Sequence, residues 1–177
     1  MKHLAALAPF VSVAAAIDAF LYTTPDCKGP SGIGGGFGSY LRCLNLRANT
    51  CCGINTTDSP FQSIGIQDIR DGFAVNVTGY GGGNCTERVA GQFGGVHSRI
   101  CIPDFGVRYT GCNWNSGFSK RESSKGKLGC QRPDVLVLPD GTEYELSRLS
   151  DDSFQEIIDI SAQATDSSDI PTKFQAL

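Results

Sequence analysis

Histidine, methionine and tryptophan are scarce in this sequence. Its 177 residues include two His, one Met and one Trp, and His3 lies in a leader segment. Because His97 is the one histidine beyond that leader, a mechanism that needs two histidines is excluded, as is a copper site built on an N-terminal histidine. Charged residues make up 19% of the chain, and there is no heptad or Gly-X-Y repeat, which excludes coiled coils and collagen.

The chain also lacks a second long hydrophobic run. Lys2 and His3 precede a single apolar run over residues 4–16, and small residues follow it. This order is typical of a secretory signal peptide, and the run is shorter than the roughly 20 residues that a spanning helix needs. We therefore expect residues 1–19 to be a signal peptide, cut after Ala16 or Ala19, and the mature protein to be secreted, soluble and extracellular.

Cysteine and glycine, by contrast, are abundant. The chain has eight Cys and 22 Gly, which is typical of a turn-rich, disulfide-bonded β protein from an oxidising compartment. We expect all eight cysteines to form disulfides: Cys27, Cys43, Cys51, Cys52, Cys85, Cys101, Cys112 and Cys130. Adjacent Cys51 and Cys52 would form a strained bond, so each is expected to pair with a different neighbour. No CxxC pair is present, and no zinc site is predicted.

An internal repeat indicates a duplication. Two segments read Tyr-x4-Cys with a second cysteine 16 residues later, at a constant offset of 58: Tyr22, Cys27 and Cys43, then Tyr80, Cys85 and Cys101. Glycine-rich stretches at 32–38 and 91–95 lie between the cysteines of each copy. The simplest symmetric pairing is Cys27–Cys43 with Cys85–Cys101, which leaves the other four cysteines to pair among themselves.

The hydrophobic pattern predicts a mainly β fold. Short segments of strand composition, separated by turn residues, occupy residues 20–132, and they predict two Greek-key motifs forming a disulfide-stapled β-sandwich. Residues 133–164 predict a β-hairpin with Asp140-Gly141 at its turn, then a short α-helix opened by a Ser153-x-x-Glu156 capping box. Residues 165–177 are polar, and we expect a disordered tail.

Several motifs together resemble a known group of proteins. They are the Tyr22-x4-Cys27-x-Gly29 pattern, the Cys51-Cys52 pair, the Ser63–Ile66 segment and the second copy from Tyr80 to Cys101. Over about residues 20–112 the chain resembles small secreted fungal proteins of the βγ-crystallin-like Greek-key type. That resemblance implies the fold, and it implies calcium-binding, killer-toxin-like or antimicrobial functions. The family's calcium pattern is absent, the nearest segments being 55–59 and 166–169, so no metal site is predicted.

Catalytic candidates are few. His97 could form a triad with Ser98 or Asp104, but no Gly-x-Ser-x-Gly elbow is present. Glu87 and Asp104 are the acids nearest the second copy, where a glycosidase would need a carboxylate pair. The glycine-rich stretch 32–38 lacks the helix of a dinucleotide site. We predict no catalytic residues, no cofactor and a non-enzymatic binding function, with a small hydrolase or a structural extracellular protein as the alternatives.

Sequons and charge suggest where the protein acts. The three sequons predict N-glycosylation at Asn55, Asn76 and Asn84. Residues 20–132 have a formal charge of +5 and residues 133–177 one of −8. The basic residues around Lys120-Arg121, a candidate dibasic processing site, have no interleaved aromatics, so no nucleic-acid partner is expected. We expect a monomer acting at the cell exterior, as an antimicrobial or killer-toxin-like protein or a host-interacting effector, on a cell-wall glycan, a membrane surface or a host protein.

Overall fold

The computed structural model describes residues 17–30, 38–95, 97–117 and 129–177. Residues 1–16 of the predicted leader, most of the glycine-rich stretch 32–38 and the Lys120-Arg121 pair lie outside the described residues. The described chain forms eleven strands, one α-helix and a 3-10 turn at Ser167–Asp169. The elements are β1 Ile17–Tyr22, β2 Tyr40–Leu46, β3 Thr50–Gly53, β4 Ser63–Gln67, β5 Val75–Gly81, β6 Glu87–Phe93, β7 Ile100–Ile102, β8 Gly111–Ser116, β9 Gly129–Gln131, β10 Val135–Val137, β11 Glu143–Glu145 and α1 Asp151–Ser161.

The strands form two sheets that pack face to face, which confirms the predicted disulfide-stapled β-sandwich. The six-stranded sheet has the order β11-β10-β2-β1-β4-β7, and the five-stranded sheet has the order β6-β5-β8-β3-β9. Alternate side chains of the strands point into the shared core, where Leu21, Ile64, Val77 and Trp114 are almost completely buried. The alternation leaves the intervening residues of each strand on an outer face.

The two copies of the repeat exchange one strand each. The first copy supplies β1–β4 and the second supplies β5–β8. In the six-stranded sheet, β2, β1 and β4 of the first copy are followed by β7 of the second copy. In the five-stranded sheet, β6, β5 and β8 of the second copy are followed by β3 of the first copy. The exchanged strand is the third strand of its copy in both cases. The two sheets are therefore related by an approximate two-fold, in which Tyr22 corresponds to Tyr80.

Two of the three disulfides among the described residues obey this symmetry. Cys27 follows β1 and is bonded to Cys101 in β7, while Cys85 follows β5 and is bonded to Cys51 in β3. Each bond links the turn after a copy's first strand to the third strand of the other copy. The third disulfide, Cys43–Cys52, joins β2 to β3 and so connects the two sheets.

The predicted pairing of Cys27 with Cys43 and of Cys85 with Cys101 is therefore wrong. The prediction relied on the equal spacing of the cysteines, but Cys43 lies on the second strand of its copy and Cys101 on the third. Cys101 corresponds in the fold to Cys51. The expectation that Cys51 and Cys52 bond to different neighbours is confirmed.

Cys112 is a free thiol, which corrects the expectation that all eight cysteines form disulfides. Cys112 lies directly across the ladder from Cys52, which is already bonded to Cys43. Its thiol faces the core, and burial raises its pKa to about 12. Cys130 lies on β9 across from Cys51, on the other side of β3. A strand therefore separates Cys112 from Cys130.

The C-terminal segment is part of the sandwich. β10 pairs with β2 and with β11 in the predicted hairpin, whose turn residue Gly141 has φ +87°. Helix α1 buries Phe154, Ile157 and Ile158 against the core. Its N-cap is Ser150, whose hydroxyl accepts from the Ser153 N–H, so the helix begins earlier than the predicted capping box. It has eleven residues, and no helix of the described chain is long and apolar enough to cross a membrane.

The C-terminal end of the predicted domain map needs correction. The tail expected to be disordered packs against the molecule: Ile170 and Phe174 are buried, and the Leu177 N–H donates to the Glu143 carbonyl at 2.8 Å. These two apolar side chains give the polar tail enough hydrophobic burial to be ordered. At the other end, the boundary after Ala19 would cut through β1, which begins at Ile17.

Candidate functional site

The strongest candidate site is the outer face of the five-stranded sheet. On β5, Val75 and Val77 point into the core, so Asn76, Thr78 and Tyr80 point outward. On β8, Trp114 is buried and its indole N–H donates to the Leu46 carbonyl at 2.9 Å, which turns its neighbours outward. The residues of this outer face are Asn76, Thr78, Tyr80, Arg88, Gly91, Phe93, Asn113 and Asn115.

The strand register arranges these side chains in three rows across β6, β5 and β8. The rows are Phe93–Asn76–Asn115, Gly91–Thr78–Asn113 and Arg88–Tyr80–Gly111. Rows are about 7 Å apart and neighbouring strands about 4.8 Å apart, so the face measures roughly 14 by 10 Å. That area is enough for two or three sugar rings or a short peptide.

The middle of the face contains an incompletely bonded amide. Asn113 is 5% exposed, and its Oδ1 has no hydrogen-bond partner. A buried acceptor without a partner costs free energy of roughly 1–3 kcal/mol. Beside it, the Asn76 amide donates to Asn115 Oδ1 at 3.2 Å. The face therefore has bonded amide groups in its first row and a buried amide oxygen without a partner in its middle row.

Tyr80 lies along the face. Burial raises the pKa of its hydroxyl, while hydrogen bonds with Thr78 and Asn113 and the positive charge of Arg88 act in the opposite direction. These partners place the hydroxyl over the middle row, so the ring extends across the sheet and is half-buried. Part of the ring is therefore exposed to solvent.

A cation and an exposed aromatic residue complete the outer face on the edge strand β6. A Cβ placed on Gly91 would lie 2.9 Å from Nη2 of Arg88, so the guanidinium occupies the space above that glycine. Within the described chain Arg88 forms no ion pair with a carboxylate. Phe93 is 60% exposed. A large apolar side chain exposed beside a charge available for bonding is typical of a contact surface.

The symmetry-related face of the other sheet is closed. There the Tyr22 ring packs over Gly65, its hydroxyl accepts from Gln67 Nε2 at 3.1 Å, and the side chain is 3% exposed. Tyr22 also contacts the Tyr40 ring, at 5.2 Å between centroids. The Gly29 backbone lies against both rings, since a Cβ there would be 2.8 Å from Tyr40 and 3.5 Å from Tyr22. The chain thus covers one of its two equivalent faces itself.

The candidate catalytic residues of the hydrolase alternative have few contacts. His97 is exposed, and its backbone N–H donates to the Gly94 carbonyl. Within the described chain its imidazole makes no hydrogen bond with Ser98 or Asp104. The Asp104 carboxylate accepts from the Gly106 N–H and the Arg108 guanidinium, whereas Glu87 is exposed on β6. None of the three residues lies on the outer face of eight residues described above.

The three sequon asparagines lie in two places. Asn76 is on the outer face, whereas Asn55 and Asn84 meet elsewhere, with Asn84 Nδ2 donating to Asn55 Oδ1 at 3.3 Å. Those two line a cavity of about 410 Å³ at the junction with helix α1. In that junction Arg132 donates to Asp151 at 3.0 Å and to the Leu149 carbonyl at 2.7 Å. These contacts hold the start of α1 against Arg132.

A resident metal centre has no support in the described part of the chain, where no three His, Cys, Asp or Glu side chains cluster. The acidic residues at 166–169 cap a turn instead: Asp166 accepts from the Ser168 N–H, and Asp169 accepts from the Thr165 N–H. The backbone hydrogen bonds of Thr165 lower the pKa of Asp169.

Sequence reasoning did not find Arg88, Phe93, Asn113 or Asn115. The alternation Asn113-Trp114-Asn115 would have indicated a strand with its amides facing away from a buried tryptophan. It did not indicate that these amides meet Asn76 and Thr78, because that depends on the pairing of β5 with β8.

The comparisons with known proteins identify a family for most of the chain. No curated protein and no solved structure matches it. A family model described as the ARB_05566_N N-terminal domain matches residues 18–134. The matched region ends just before β10, so it contains both copies of the repeat and the whole candidate site, without the C-terminal hairpin and helix. The chain therefore belongs to the ARB_05566_N family of N-terminal domains.

Proposed function

We propose that the protein is a secreted, non-enzymatic binding protein that attaches to a cell-wall glycan through the outer face of its five-stranded sheet. One observation carries the proposal: of two symmetry-related faces, the chain covers the one at Tyr22 with its own backbone and leaves the one at Tyr80 open.

The chemistry of the open face suits a sugar better than a lipid or a hydrophobic peptide. A sugar ring has an apolar C–H side and a rim of hydroxyl groups. Tyr80 and Phe93 supply flat apolar surface, while amides and the Arg88 guanidinium supply donors and acceptors for the rim. The amides that a ligand can reach are those of Asn76 and Asn115, which are half-buried, whereas Asn113 Oδ1 is buried within the face.

Secretion is part of the same proposal. Three disulfides are typical of proteins that mature in an oxidising compartment. The apolar leader and the three sequons are consistent with that route. In this setting an antimicrobial, killer-toxin-like or host-interacting role, as the βγ-crystallin-like resemblance implies, would follow from attachment to a surface. The exchanged-strand symmetry supports that relationship.

The test is a binding assay with matched variants. The protein, purified without N-linked glycans, is incubated with insoluble chitin, β-glucan and cellulose, and the bound fraction is measured. We expect Phe93→Ala to weaken binding at least tenfold, which corresponds to about 1.4 kcal/mol. Phe105→Ala is the matched control, because Phe105 is 65% exposed and lies outside the site. Equal losses in both variants, or no binding to any of the three polymers, would overturn the proposal.

A second pair of variants tests the cation. Arg88→Ala should reduce binding, whereas Arg148→Ala should not, since the Arg148 side chain is 86% exposed on the C-terminal segment. Melting temperatures of all four variants show whether any loss reflects unfolding.

The competing hydrolase hypothesis has its own experiment. Chromogenic glycoside and ester substrates are assayed with the parent protein and with His97→Ala. The proposal of a binding protein predicts no turnover by either. Turnover that is abolished by His97→Ala would contradict it.

A further inference from the structure

We infer that Asn76 is an N-glycosylation site whose glycan lies on the outer face and regulates it, so that the glycosylated chain binds external sugar weakly. This inference rests on the proposed function, and it adds a modification with a regulatory effect.

Asn76 is the one sequon asparagine that belongs to this face. It is in the centre of the first row, between Phe93 on β6 and Asn115 on β8. Its amide is half-buried and donates to Asn115 Oδ1, and the sequon residue Thr78 is the next outward residue on the same strand. A sugar attached to Nδ2 of Asn76 would therefore start on the face itself.

The modification is a simple transfer. The Nδ2 atom of Asn76 attacks C1 of the first sugar of a lipid diphosphate-linked oligosaccharide. The new bond joins N to C1, the bond from C1 to the diphosphate oxygen breaks, one proton leaves Nδ2, and the lipid diphosphate departs. The step takes place on the unfolded chain during secretion, so the half-buried position in the folded state does not prevent it.

Phe93 provides a platform that would hold the first sugar on the face. Residues directly opposite on neighbouring antiparallel strands have Cβ atoms about 5 Å apart, which is also about the width of a sugar ring. Phe93 is exposed where β6 would otherwise present polar residues. The C–H side of the sugar would cover its ring. The second face would then be covered by the chain's own glycan, as the first is covered by the Gly29 backbone.

The sequons at Asn55 and Asn84 provide the matched control. These two asparagines bond to each other beside the α1 cavity, away from the outer face. A double variant, Asn55→Gln with Asn84→Gln, keeps Asn76 as the single remaining sequon without altering the site.

The closing experiment compares three forms of the secreted protein. They are the parent chain, the same chain made with lipid-linked oligosaccharide synthesis blocked, and the double variant made in a glycosylating host. Glycopeptide mass spectrometry gives the occupancy of Asn76, and calorimetry gives the affinity for a chitin trisaccharide and a β-glucan trisaccharide. We expect Asn76 to be occupied, and the unglycosylated chain to bind one of the sugars at least tenfold more tightly than both glycosylated forms.

Three results would overturn the inference while leaving the proposed function intact: an unoccupied Asn76, equal affinity of all three forms, or weaker binding by the unglycosylated chain. Absence of binding by every form would overturn the proposed function and the regulation with it.

Melting temperature tests separately whether the glycan packs on the Phe93 ring. The glycan should raise the melting temperature by about 2–4 °C with Phe93 present and have no such effect in Phe93→Ala. Equal shifts in the two backgrounds would show that the glycan does not contact the ring.

Discussion

Two equivalent tyrosines illustrate how one residue type serves two purposes in this molecule. Tyr22 and Tyr80 both end the first strand of their copy, and both rings lie along an outer face. Tyr22 rests on Gly65 and is enclosed by neighbouring aromatic rings, whereas Tyr80 lies beside Asn113 and remains half-exposed. The register makes Gly65 and Asn113 equivalent, because each is paired two residues before its tyrosine. Gly65 permits the Tyr22 ring to pack closely on the sheet, whereas Asn113 leaves the Tyr80 ring partly exposed beside a polar amide.

The enclosure of Tyr22 predicts a loss of stability in alkali. Burial raises the pKa of Tyr22 to about 12, above its usual value near 10. Below pH 10 the hydroxyl is protonated in both states. Between pH 10 and 12 the unfolded chain loses this proton first, so the free energy of unfolding falls by about 1.4 kcal/mol per pH unit. Urea unfolding at several pH values should show that the free energy of unfolding falls less steeply with pH in Tyr22→Phe than in the parent chain. The same slope in the variant would contradict the prediction.

The register of β1 bears on where the predicted leader would be cut. Ile17 pairs with Leu46 and Ala19 with Cys43, and both side chains are buried. Asp18 Oδ1 also accepts from the Asn45 N–H at 2.9 Å. Cleavage after Ala19 would remove all three residues from the strand, whereas cleavage after Ala16 would leave β1 whole.

We therefore predict that the secreted chain begins at Ile17. Its intact mass after deglycosylation and reduction, or its N-terminal sequence, will check this. A chain shortened to begin at Phe20 should unfold at a lower urea concentration, because two buried side chains and their strand pairing are lost. A secreted chain that begins at Phe20 and is equally stable would refute the assignment.

The individual elements show what the sequence could and could not predict. The hairpin was predictable because Asp140-Gly141 requires a tight turn and alternation follows it. The duplication was visible in Tyr22 and Tyr80, since β1 and β5 keep the 58-residue offset. The disulfides were not predictable, because later strands of the second copy lie at a shorter offset, and pairing depends on which strands are exchanged. For the same reason the outer face, assembled from three strands, has no local signal.

At the scale of the whole molecule, the C-terminal segment completes the sandwich. Strand β10 pairs with β2, and the acidic segment is joined to the body by Arg132 with Asp151 at 3.0 Å and Arg42 with Glu143 at 3.6 Å. The buried side of α1 extends the same core that contains Trp114. The family match ends at residue 134, yet the hydrophobic core continues beyond that point, so we expect the whole chain to unfold as one cooperative unit.

Such cooperativity predicts that a substitution in α1 also destabilises the five-stranded sheet, which contains Trp114. Ile157 is completely buried, and Ile157→Ala should lower the free energy of unfolding by about 2–5 kcal/mol. Urea transitions followed by Trp114 fluorescence and by far-ultraviolet circular dichroism should shift together. Gln163→Ala, at an exposed position just after the helix, is the control and should have little effect. A fluorescence transition that does not move would indicate that α1 unfolds independently.

The exchange of β3 and β7 also constrains the order in which the chain is made and folded. Neither copy can complete its own sheet alone, since each lends its third strand to the other. In the proposed secretory route, Cys43, Cys51 and Cys52 would enter the oxidising compartment before Cys85 and Cys101. Cys27 is separated from its partner Cys101 by 74 residues, so an early bond between Cys27 and a nearer thiol would have to be reshuffled. We therefore expect disulfide isomerisation, a late and non-local step, to limit the rate at which the chain matures.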